Sequence, residues 1–392
     1  MTQQIFTSDQ IGFMHKALQL ARRGLGRVEP NPLVGCVIVR NGTIIATGYH
    51  RAFGGPHAEI EALKAAGTRA RGAELYVTLE PCCHTGKTGP CTRAIIAAGV
   101  RRVVAAMIDP FPAVAGRGFA ELRKAGLDVT HGLLTDQAAA LNAPFIKRIH
   151  RHLPYCIMKW AQSLDGCVAT RSGHSQWISC PESRQRVHEL RGRVDAIMTG
   201  INTVLTDDPL LTCRAQKASA LKRIAMRVVL DSTCRTPLNS KLVHTAKDYP
   251  LLIAHKANLP DNAGRRAAAL RLAGAELMPL GSDPLGRLRL DQLLKNLSKR
   301  GITNVLVEAG PTVMGSLLMH RDLVDSIEAY IAPRVLGDTQ APHAIAGFAP
   351  RLFSQAMSFT WSQAQLVGVD WLLTAQLKKQ ASSTAGKMPR HS

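Results

Sequence analysis

The segments "PHAEIEAL" at residues 56–63 and "EPCCHTGKTGPC" at residues 80–91 constrain the fold most, because they have the spacing of a metal site. His57 and Glu59 stand at the start of a helix that follows a Gly-Gly-Pro turn, so both side chains can face the same opening. Cys82 comes just after the end of a strand. Cys91 begins the next helix, where unpaired backbone N–H groups and the helix dipole favour a thiolate. The pattern predicts that a strand end and two helix starts meet around one metal ion.

This set of ligands indicates a catalytic zinc site. One imidazole and two thiolates fill three tetrahedral positions and leave the fourth for water. Zinc lowers the pKa of such a water to about 7, and Glu59, which is not a ligand, can then carry a proton to a leaving group. Zinc nucleobase deaminases have the signature H-x-E…P-C-x-x-C. The alternative is a chance cluster or a purely structural zinc site, but neither explains Glu59.

The spacing of the cysteines departs from that signature. Eight residues, not two, separate Cys82 from Cys91, and they include Cys83 and two glycines. The glycines allow the loop to fold back, so that Cys91 can return to the metal. Cys82 and Cys83 are adjacent thiols that compete for one ligand role, and their residue types alone do not decide between them.

The longer pattern, H-A-E…E-P-C-x-H-x-G-x-T-x-P-C, resembles the deaminase domain of the bifunctional riboflavin-biosynthesis deaminase/reductase family. The segments "NPLVGCVIV" (31–39) and "DPFPAVAGRG" (109–118) resemble other stretches of that family. The resemblance places the ligand directly after Pro81 and therefore implies Cys82. It also implies pyrimidine or phosphate contacts for Asn31, His50, His84 and Lys87.

Length and composition limit the class of protein. A chain of 392 residues with 46% hydrophobic and 20% charged residues predicts two globular domains. The start has no basic patch followed by an apolar stretch, and no uncharged apolar run approaches the ~18 residues that a membrane span needs. We therefore expect a cytosolic protein without a membrane partner. Nine cysteines without a secretion signal argue against a disulfide framework.

The net charge of +21 comes from 49 Lys and Arg residues against 28 Asp and Glu residues. It favours anionic ligands, or it reflects a generally basic surface to which the tail "LKKQASSTAGKMPRHS" (377–392) contributes. The composition of this tail predicts disorder. Only 5% of the residues are aromatic and no Lys/Arg block stands out, so we expect no nucleic acid partner.

Strand and helix patterns alternate along the first half of the chain. Residues 9–23 predict an amphipathic helix, and residues 34–40 and 43–50 predict a hairpin around Asn41-Gly42. A helix starting at His57, a strand at 73–80, a helix at 91–99 and a strand at 101–108 follow. The basic segment 146–154 is the candidate linker.

The second half predicts a second α/β domain. Residues 154–166, 196–200, 227–232, 251–256 and 303–310 indicate short buried strands, with helices notably at 291–301 and 312–321. Such alternation suggests a largely parallel, doubly wound sheet. At 305–318 a strand runs into a glycine and then a helix, which points N–H groups at a phosphate. The glycines do not form G-x-G-x-x-G, so this motif alone is weak evidence for a dinucleotide.

The segments "KWAQSLDG" (159–166), "SGHSQWIS" (172–179), "GINTVLTDDPLLTCR" (200–214) and "VEAGPT" (307–312) resemble the reductase domain of the same family, whose fold is similar to dihydrofolate reductase. For NADPH, the resemblance implies contacts from Ala161, Trp177, Thr203, Asp207, Ser232 and the turn of Gly310, Pro311, Thr312, Val313, Met314, Gly315 and Ser316. For the phosphosugar substrate it implies Ser175, Arg191, Leu211, Arg214 and Glu308. The alternatives are solvated charges for the arginines, a turn at Asp207, and a local ion pair between Lys159 and Asp165.

Together these patterns and the resemblance predict a bifunctional enzyme. Residues 1–150 would form a cytidine-deaminase-like α/β/α domain with one Zn²⁺, and residues 151–376 a doubly wound NADPH-dependent reductase domain. The expected reactions are deamination of a phosphoribosylated diaminopyrimidinone and reduction of its ribose to ribityl. We also expect a homo-oligomer. The alternatives are a nucleic acid deaminase with an appended binding domain, and a zinc-containing scaffold with a degenerate reductase fold.

Overall fold

The computed structural model describes residues 6–84, 89–215 and 223–378. These residues form two compact units: the first lies within Met1–Tyr155 and Gln185–Leu306, and the second within Cys156–Arg184 and Val307–Ser392. Lys87 and nearly all of the expected tail 377–392 fall outside the described residues. In the part of the chain that the structure describes, no helix is both long and apolar enough to cross a bilayer.

A five-stranded sheet flanked by helices forms the first part of the chain. Its elements are α1 (Ser8–Ala21), β1 (Gly35–Arg40), β2 (Thr43–Tyr49), α2 (Ala58–Ala66), β3 (Glu74–Val77), α3 (Cys91–Ala97), β4 (Arg102–Ala105), α4 (Arg117–Lys124), β5 (Asp128–His131), α5 (Thr135–Leu141) and α6 (Ala143–Arg151). The strand order is β2-β1-β3-β4-β5. Strand β1 is antiparallel to β2 and β3, whereas β3, β4 and β5 are parallel. The parallel part brings the carboxyl ends of β3 and β4 to one edge of the sheet.

Two local features place α2 at that sheet. The predicted hairpin turn is confirmed, since Asn41 and Gly42 have φ values of 51° and 73°. Gly48 in β2 lets α2 approach closely, because a Cβ at this position would lie 2.3 Å from the carbonyl oxygen of Ala58. Helix α2 begins directly after His57, so this contact also sets where the histidine lies.

The following elements are β6 (Tyr155–Gln162), α7 (Pro181–Arg191), β7 (Ala196–Gly200), α8 (Ile201–Asp207), β8 (Met226–Leu230), α9 (Lys241–His244), β9 (Leu251–Lys256), α10 (Asp261–Leu272), β10 (Glu276–Leu280), α11 (Leu290–Lys299), β11 (Asn304–Val307), α12 (Pro311–Leu318), β12 (Ser326–Ile331), β13 (Phe359–Val367) and β14 (Asp370–Leu377). In the first unit the strands run in the order β10-β9-β8-β7-β11, and β10, β9, β8 and β7 pair in parallel. In the second unit the order is β6-β12-β14-β13. There β6 and β12 are parallel, while β14 is antiparallel to both β12 and β13.

The α/β class predicted for both halves is confirmed, and the predicted strands and helices occur with ends that differ by a few residues. The antiparallel hairpin of β13 and β14 was not predicted. Most side chains of β13 are exposed, and a register shift between Trp361 and Gln363 interrupts the alternation of its apolar residues. The segment 146–154, expected as a linker, is helical up to Arg151 as the end of α6.

Candidate active site

His57 caps the N-terminus of α2 with extended backbone angles, φ −73° and ψ 162°. Its carbonyl oxygen accepts the N–H of Glu61 at 3.1 Å, as the first bond of the helix. Glu59 lies in the first turn and is 3% exposed. The helix dipole favours a carboxylate in this position. Burial disfavours the charged form, because the carboxylate loses the hydration that it would keep at the surface. The local fold therefore keeps an ionisable group inside the protein beside the histidine.

The structure brings His57, Cys82 and Cys91 together. The Nδ1 atom of His57 lies 3.3 Å from the Sγ of Cys91 and 3.5 Å from the Sγ of Cys82, and the three ligand atoms all lie within 4.8 Å of one another. Ligands of a tetrahedral zinc lie roughly 3.5 Å apart for a nitrogen and a sulfur, by the usual metal–ligand bond lengths. The donor set and its spacing therefore fit zinc. Within 6–84, 89–215 and 223–378, no other group of three such residues has metal-ligand spacing.

The backbone around the two cysteines holds the thiols in place. Helix α3 begins at Cys91, whose N–H points at the Sγ of Cys82 over 3.4 Å. The N–H of Thr92 donates to the carbonyl oxygen of Cys82 at 3.2 Å. These two contacts join the start of α3 to the chain just after β3.

Cys83 lies outside this cluster. Its Sγ is 4.0 Å from the carbonyl oxygen of Ala113. Burial raises the pKa of its thiol. The structure therefore separates the two adjacent cysteines, with Cys82 beside the histidine and Cys83 against another segment.

Close contacts and burial shift the pKa values of these side chains. The neighbouring Cys91 and His57 lower the pKa of Cys82, and the Cys82 sulfur together with burial raises the pKa of Cys91. The hydrogen bond with Cys82 also raises the pKa of His57. Burial, with the negative charge of Cys82, raises the pKa of Glu59 to about 7. A metal ion that binds Cys82 and Cys91 takes both as thiolates, so its affinity increases with pH.

Asn31 and His50 form a hydrogen-bonded pair at the same site. His50 is 3% exposed, with its Nδ1 3.0 Å from the carbonyl oxygen of Pro56 and its Nε2 3.3 Å from the Nδ2 of Asn31. The carbonyl requires a proton on Nδ1, so Nε2 accepts from the amide. Burial lowers the pKa of His50, which favours this neutral form.

A cavity of about 360 Å³ lies beside the metal ligands, within the usual range of roughly 300–1,000 Å³ for small-molecule sites. Its walls contain the predicted residues Asn31, His50, His57, Glu59, Cys82 and His84. The lining residues that were not predicted include Phe53, Asp109, Phe111, Phe145, Arg148 and Ile149. Phe145 and Ile149 are four residues apart, a spacing that predicts one face of a helix. The prediction of a linker at 146–154 left this helix out.

Glu80 supports one wall of the cavity and was also missed. Its Oε1 accepts the N–H groups of Gly118 and Phe119 at 2.9 and 3.2 Å, and its Oε2 accepts those of Asp109 and Gly116 at 3.1 and 2.8 Å. The side chain is 3% exposed, so these four bonds replace its lost hydration. They hold the loop 109–119, which carries Asp109 and Phe111 into the cavity.

The predicted reductase residues of the first unit lie on or near two helices and one strand. Arg191 ends α7, Thr203 and Asp207 belong to α8, and Ser232 follows β8. Leu211 is buried, with φ at 51°. The side chain of Arg214 is exposed, and its backbone N–H lies 3.3 Å from the Nδ1 of His188.

In the second unit, Gly310 caps α12 and Pro311 occupies its first turn. Gly315 is required by close packing, because a Cβ there would lie 1.8 Å from the carbonyl oxygen of Ala346. Glu308 forms an ion pair with Lys159 at 3.8 Å. The suggested Lys159–Asp165 pair is therefore wrong: Asp165 accepts from the Ser163 hydroxyl and from the N–H groups of Leu336 and Gly337.

Three other predicted residues belong to the second unit. Ala161 lies in β6, and Ser175 and Trp177 lie in the chain between β6 and α7. The Trp177 ring is 59% exposed and stacks under the guanidinium of Arg184 at 4.6 Å.

Comparison with known proteins gives relatives for both halves. The family model "Cytidine and deoxycytidylate deaminase zinc-binding region" matches residues 7–107, and "RibD C-terminal domain" matches residues 154–372. The riboflavin biosynthesis protein RibD of Actinobacillus pleuropneumoniae is 40% identical over 373 residues, covering 94% of this chain and 95% of that protein. RibD of Escherichia coli strain K12 is 42% identical over 369 residues, covering 91% of this chain and 96% of its own.

Two solved structures resemble the whole chain. Acinetobacter baumannii RibD has a TM-score of 0.83 at 36% identity and covers 95% of this chain and 99% of its own. The second is a diaminohydroxyphosphoribosylaminopyrimidine deaminase/5-amino-6-(5-phosphoribosylamino)uracil reductase from Thermotoga maritima. It has a TM-score of 0.80 at 32% identity and covers 94% of this chain and 99% of its own.

The separation of the two adjacent cysteines generates a prediction. Substitution of Cys82 or Cys91 by serine should release zinc, because each removes one of the two thiolates beside His57. Cys83→Ser should keep zinc, since this thiol lies against Ala113, and it serves as the matched control. Metal analysis of the purified variants measures this. Full zinc in Cys82→Ser together with loss in Cys83→Ser would reverse the ligand assignment.

Proposed function

The chain belongs to the RibD family of bifunctional riboflavin-biosynthesis deaminase/reductases, and we propose that it acts on 2,5-diamino-6-(5-phosphoribosylamino)pyrimidin-4-one. The N-terminal part deaminates the pyrimidine with Zn²⁺, and the C-terminal part reduces the ribosyl group to ribityl with NADPH. The observation that carries the deaminase half is the cluster of His57, Cys82 and Cys91, with the buried carboxyl group of Glu59 in the wall of the adjacent cavity.

His57, Cys82 and Cys91 would hold the zinc ion, which when bound acts as a Lewis acid and makes water nucleophilic near neutral pH. Glu59 takes the proton that the attacking water loses and gives it to the departing ammonia. A group that both accepts and donates a proton works best when its pKa is near the operating pH, and burial raises the pKa of Glu59 to about 7. Its burial, which has a cost for folding, is thus useful for catalysis.

The substrate ring is held by groups whose hydrogen-bonding roles are fixed in advance. Because Nδ1 of His50 donates to Pro56 and Nε2 accepts from Asn31, the amide of Asn31 is oriented before the substrate arrives. Asn31 and His84 then contact the pyrimidine from the cavity wall. Lys87, which lies outside the described residues, is proposed as a partner of the phosphate.

For the reduction, we propose that the N–H groups at the start of α12, from Gly310 to Ser316, receive a phosphate of NADPH. Ala161, Trp177, Thr203, Asp207 and Ser232 contact the rest of the cofactor. Ser175, Arg191, Leu211, Arg214 and Glu308 hold the phosphosugar, so that a hydride reaches the anomeric carbon and the ring opens. The domain limits proposed for the two activities are residues 1–150 and 151–376.

We propose that the protein forms a homo-oligomer. Exposed apolar side chains on β13 and β14 support this: Trp361, Leu366 and Trp371 are 64%, 61% and 48% exposed. Light scattering of the purified protein measures the number of copies, and a monomer would oppose this proposal.

We also propose that the enzyme works in the cytoplasm. Cell fractionation tests this location.

Glu59→Gln should separate the two activities. Glutamine has nearly the same size and can still hydrogen-bond a water, but it cannot accept the proton. Proton transfer contributes roughly 10²–10⁴-fold in rate, so release of ammonia should fall by about that factor while zinc stays bound. Oxidation of NADPH with the already deaminated substrate should continue near the normal rate. Deamination within a few-fold of wild type would show that Glu59 is not the proton carrier.

Arg214→Ala tests the reductase residues. Loss of a charge-assisted contact costs about 1.5–3 kcal/mol, so the KM for the phosphorylated substrate should rise roughly 10- to 100-fold, with little change for NADPH. Arg265→Ala, an exposed arginine of α10 without a proposed role, is the control. Equal increases in both KM values of Arg214→Ala would mean that this arginine acts on the cofactor or on the fold.

A further inference from the structure

Arg148 is a basic side chain in the wall of the deaminase cavity that nothing above has given a role. The described lining residues include the acidic side chains Glu59, Glu80 and Asp109, but one arginine and no lysine. The carboxylate of Glu80 accepts four backbone N–H groups, so its charge is already balanced within the loop that it holds. We expect the guanidinium of Arg148 to bind an anionic group in this cavity, because a charge removed from water is stabilised by an opposite charge.

The position of Arg148 on α6 makes its side chain part of the wall. Phe145 and Ile149, which lie four residues apart on one face of the helix, line the same cavity. Arg148 is next to Ile149 and only partly exposed. An arginine can lay its aliphatic stem along such an apolar wall while its guanidinium reaches the polar space.

One contact orients the guanidinium without neutralising it. The Nε of Arg148 donates to the carbonyl oxygen of Ser298 at 3.4 Å, near the end of α11, and this oxygen also accepts the N–H of Gly301 at 3.0 Å. Among the described residues no carboxylate forms an ion pair with Arg148, and its two Nη groups make no hydrogen bond. These Nη groups remain as a fork that matches two oxygens of a phosphate.

We propose that Arg148 binds the phosphate of the deaminase substrate and thereby makes this site selective for phosphorylated over dephosphorylated pyrimidine ribosides. The inference rests on the deaminase function proposed above and deepens it. The zinc ligands and Glu59 act on the base, while Arg148 contacts the other end of the nucleotide. Ser298 belongs to the second half of the sequence but lies in the same compact unit as Arg148. Its carbonyl oxygen therefore helps to orient the Arg148 side chain toward the substrate of the first half.

The test compares Arg148→Gln with Arg151→Gln in the full-length, zinc-loaded enzyme. Arg151 is an exposed arginine on the same helix and does not line the cavity. Ammonia release is measured with the phosphorylated substrate and with its dephosphorylated riboside. Loss of a charge-assisted bond predicts a KM roughly 10- to 100-fold higher for the phosphorylated substrate in Arg148→Gln. The expected kcat is close to normal, and the KM for the riboside should not change.

Arg148→Lys adds a second variant, which keeps the charge but loses the fork and should have an intermediate KM. Equal rises of KM for both substrates, or the same rise in Arg151→Gln, would overturn the proposal, because a purely structural role of α6 affects both substrates alike. If the wild type releases no ammonia from either substrate, the deaminase function itself fails. Calorimetric binding of the phosphorylated substrate then decides the inference: weaker binding to Arg148→Gln than to Arg151→Gln supports it, and equal binding refutes it.

Discussion

The convergence of one imidazole and two thiols at a single point is the constraint on which the first half of this protein depends. Zinc requires its ligands a few ångströms apart, and here they come from the starts of two helices and from the chain beyond a strand. Gly48 lets α2 lie close against β2, and the N–H of Cys91 reaches the sulfur of Cys82. The sheet thus brings three distant segments together at the proposed metal site, and the cavity lies beside it.

Burial connects this geometry to the chemistry. A carboxyl group placed in water would have its ordinary pKa and would be a poor proton donor at neutral pH. Inside the cavity the pKa of Glu59 rises to about 7, chiefly because the charged form loses its hydration. The pKa of His50 shifts in the opposite direction, because burial lowers it and favours the neutral ring. The Nε2 atom of that ring faces the amide of Asn31. The same low exposure therefore shifts the two pKa values in opposite directions, as the proposed deamination would require.

Sequence reasoning predicted the parts of this structure that local patterns control. The Asn41-Gly42 turn and the alternating helices and strands each depend on a short segment, whereas the candidate metal cluster was found from a motif that extends from residue 57 to residue 91. Glu80 and Arg148 were missed because their roles depend on tertiary contacts. Glu80 bonds to N–H groups 29 to 39 residues away, and Arg148 belongs to a helix expected to be a linker. Strand β13 was missed because a register shift between Trp361 and Gln363 interrupts the alternation of its apolar residues.

We propose that the zinc ion has a fourth position open to water beside the carboxyl group of Glu59. X-ray absorption at the zinc edge of the full-length enzyme measures this, because the spectrum counts sulfur and lighter ligands separately. We expect two sulfurs at about 2.3 Å, with one nitrogen and one oxygen at about 2.0–2.2 Å. A shell of three sulfurs, with Cys83 bound as well, would show that the fourth position is closed to water.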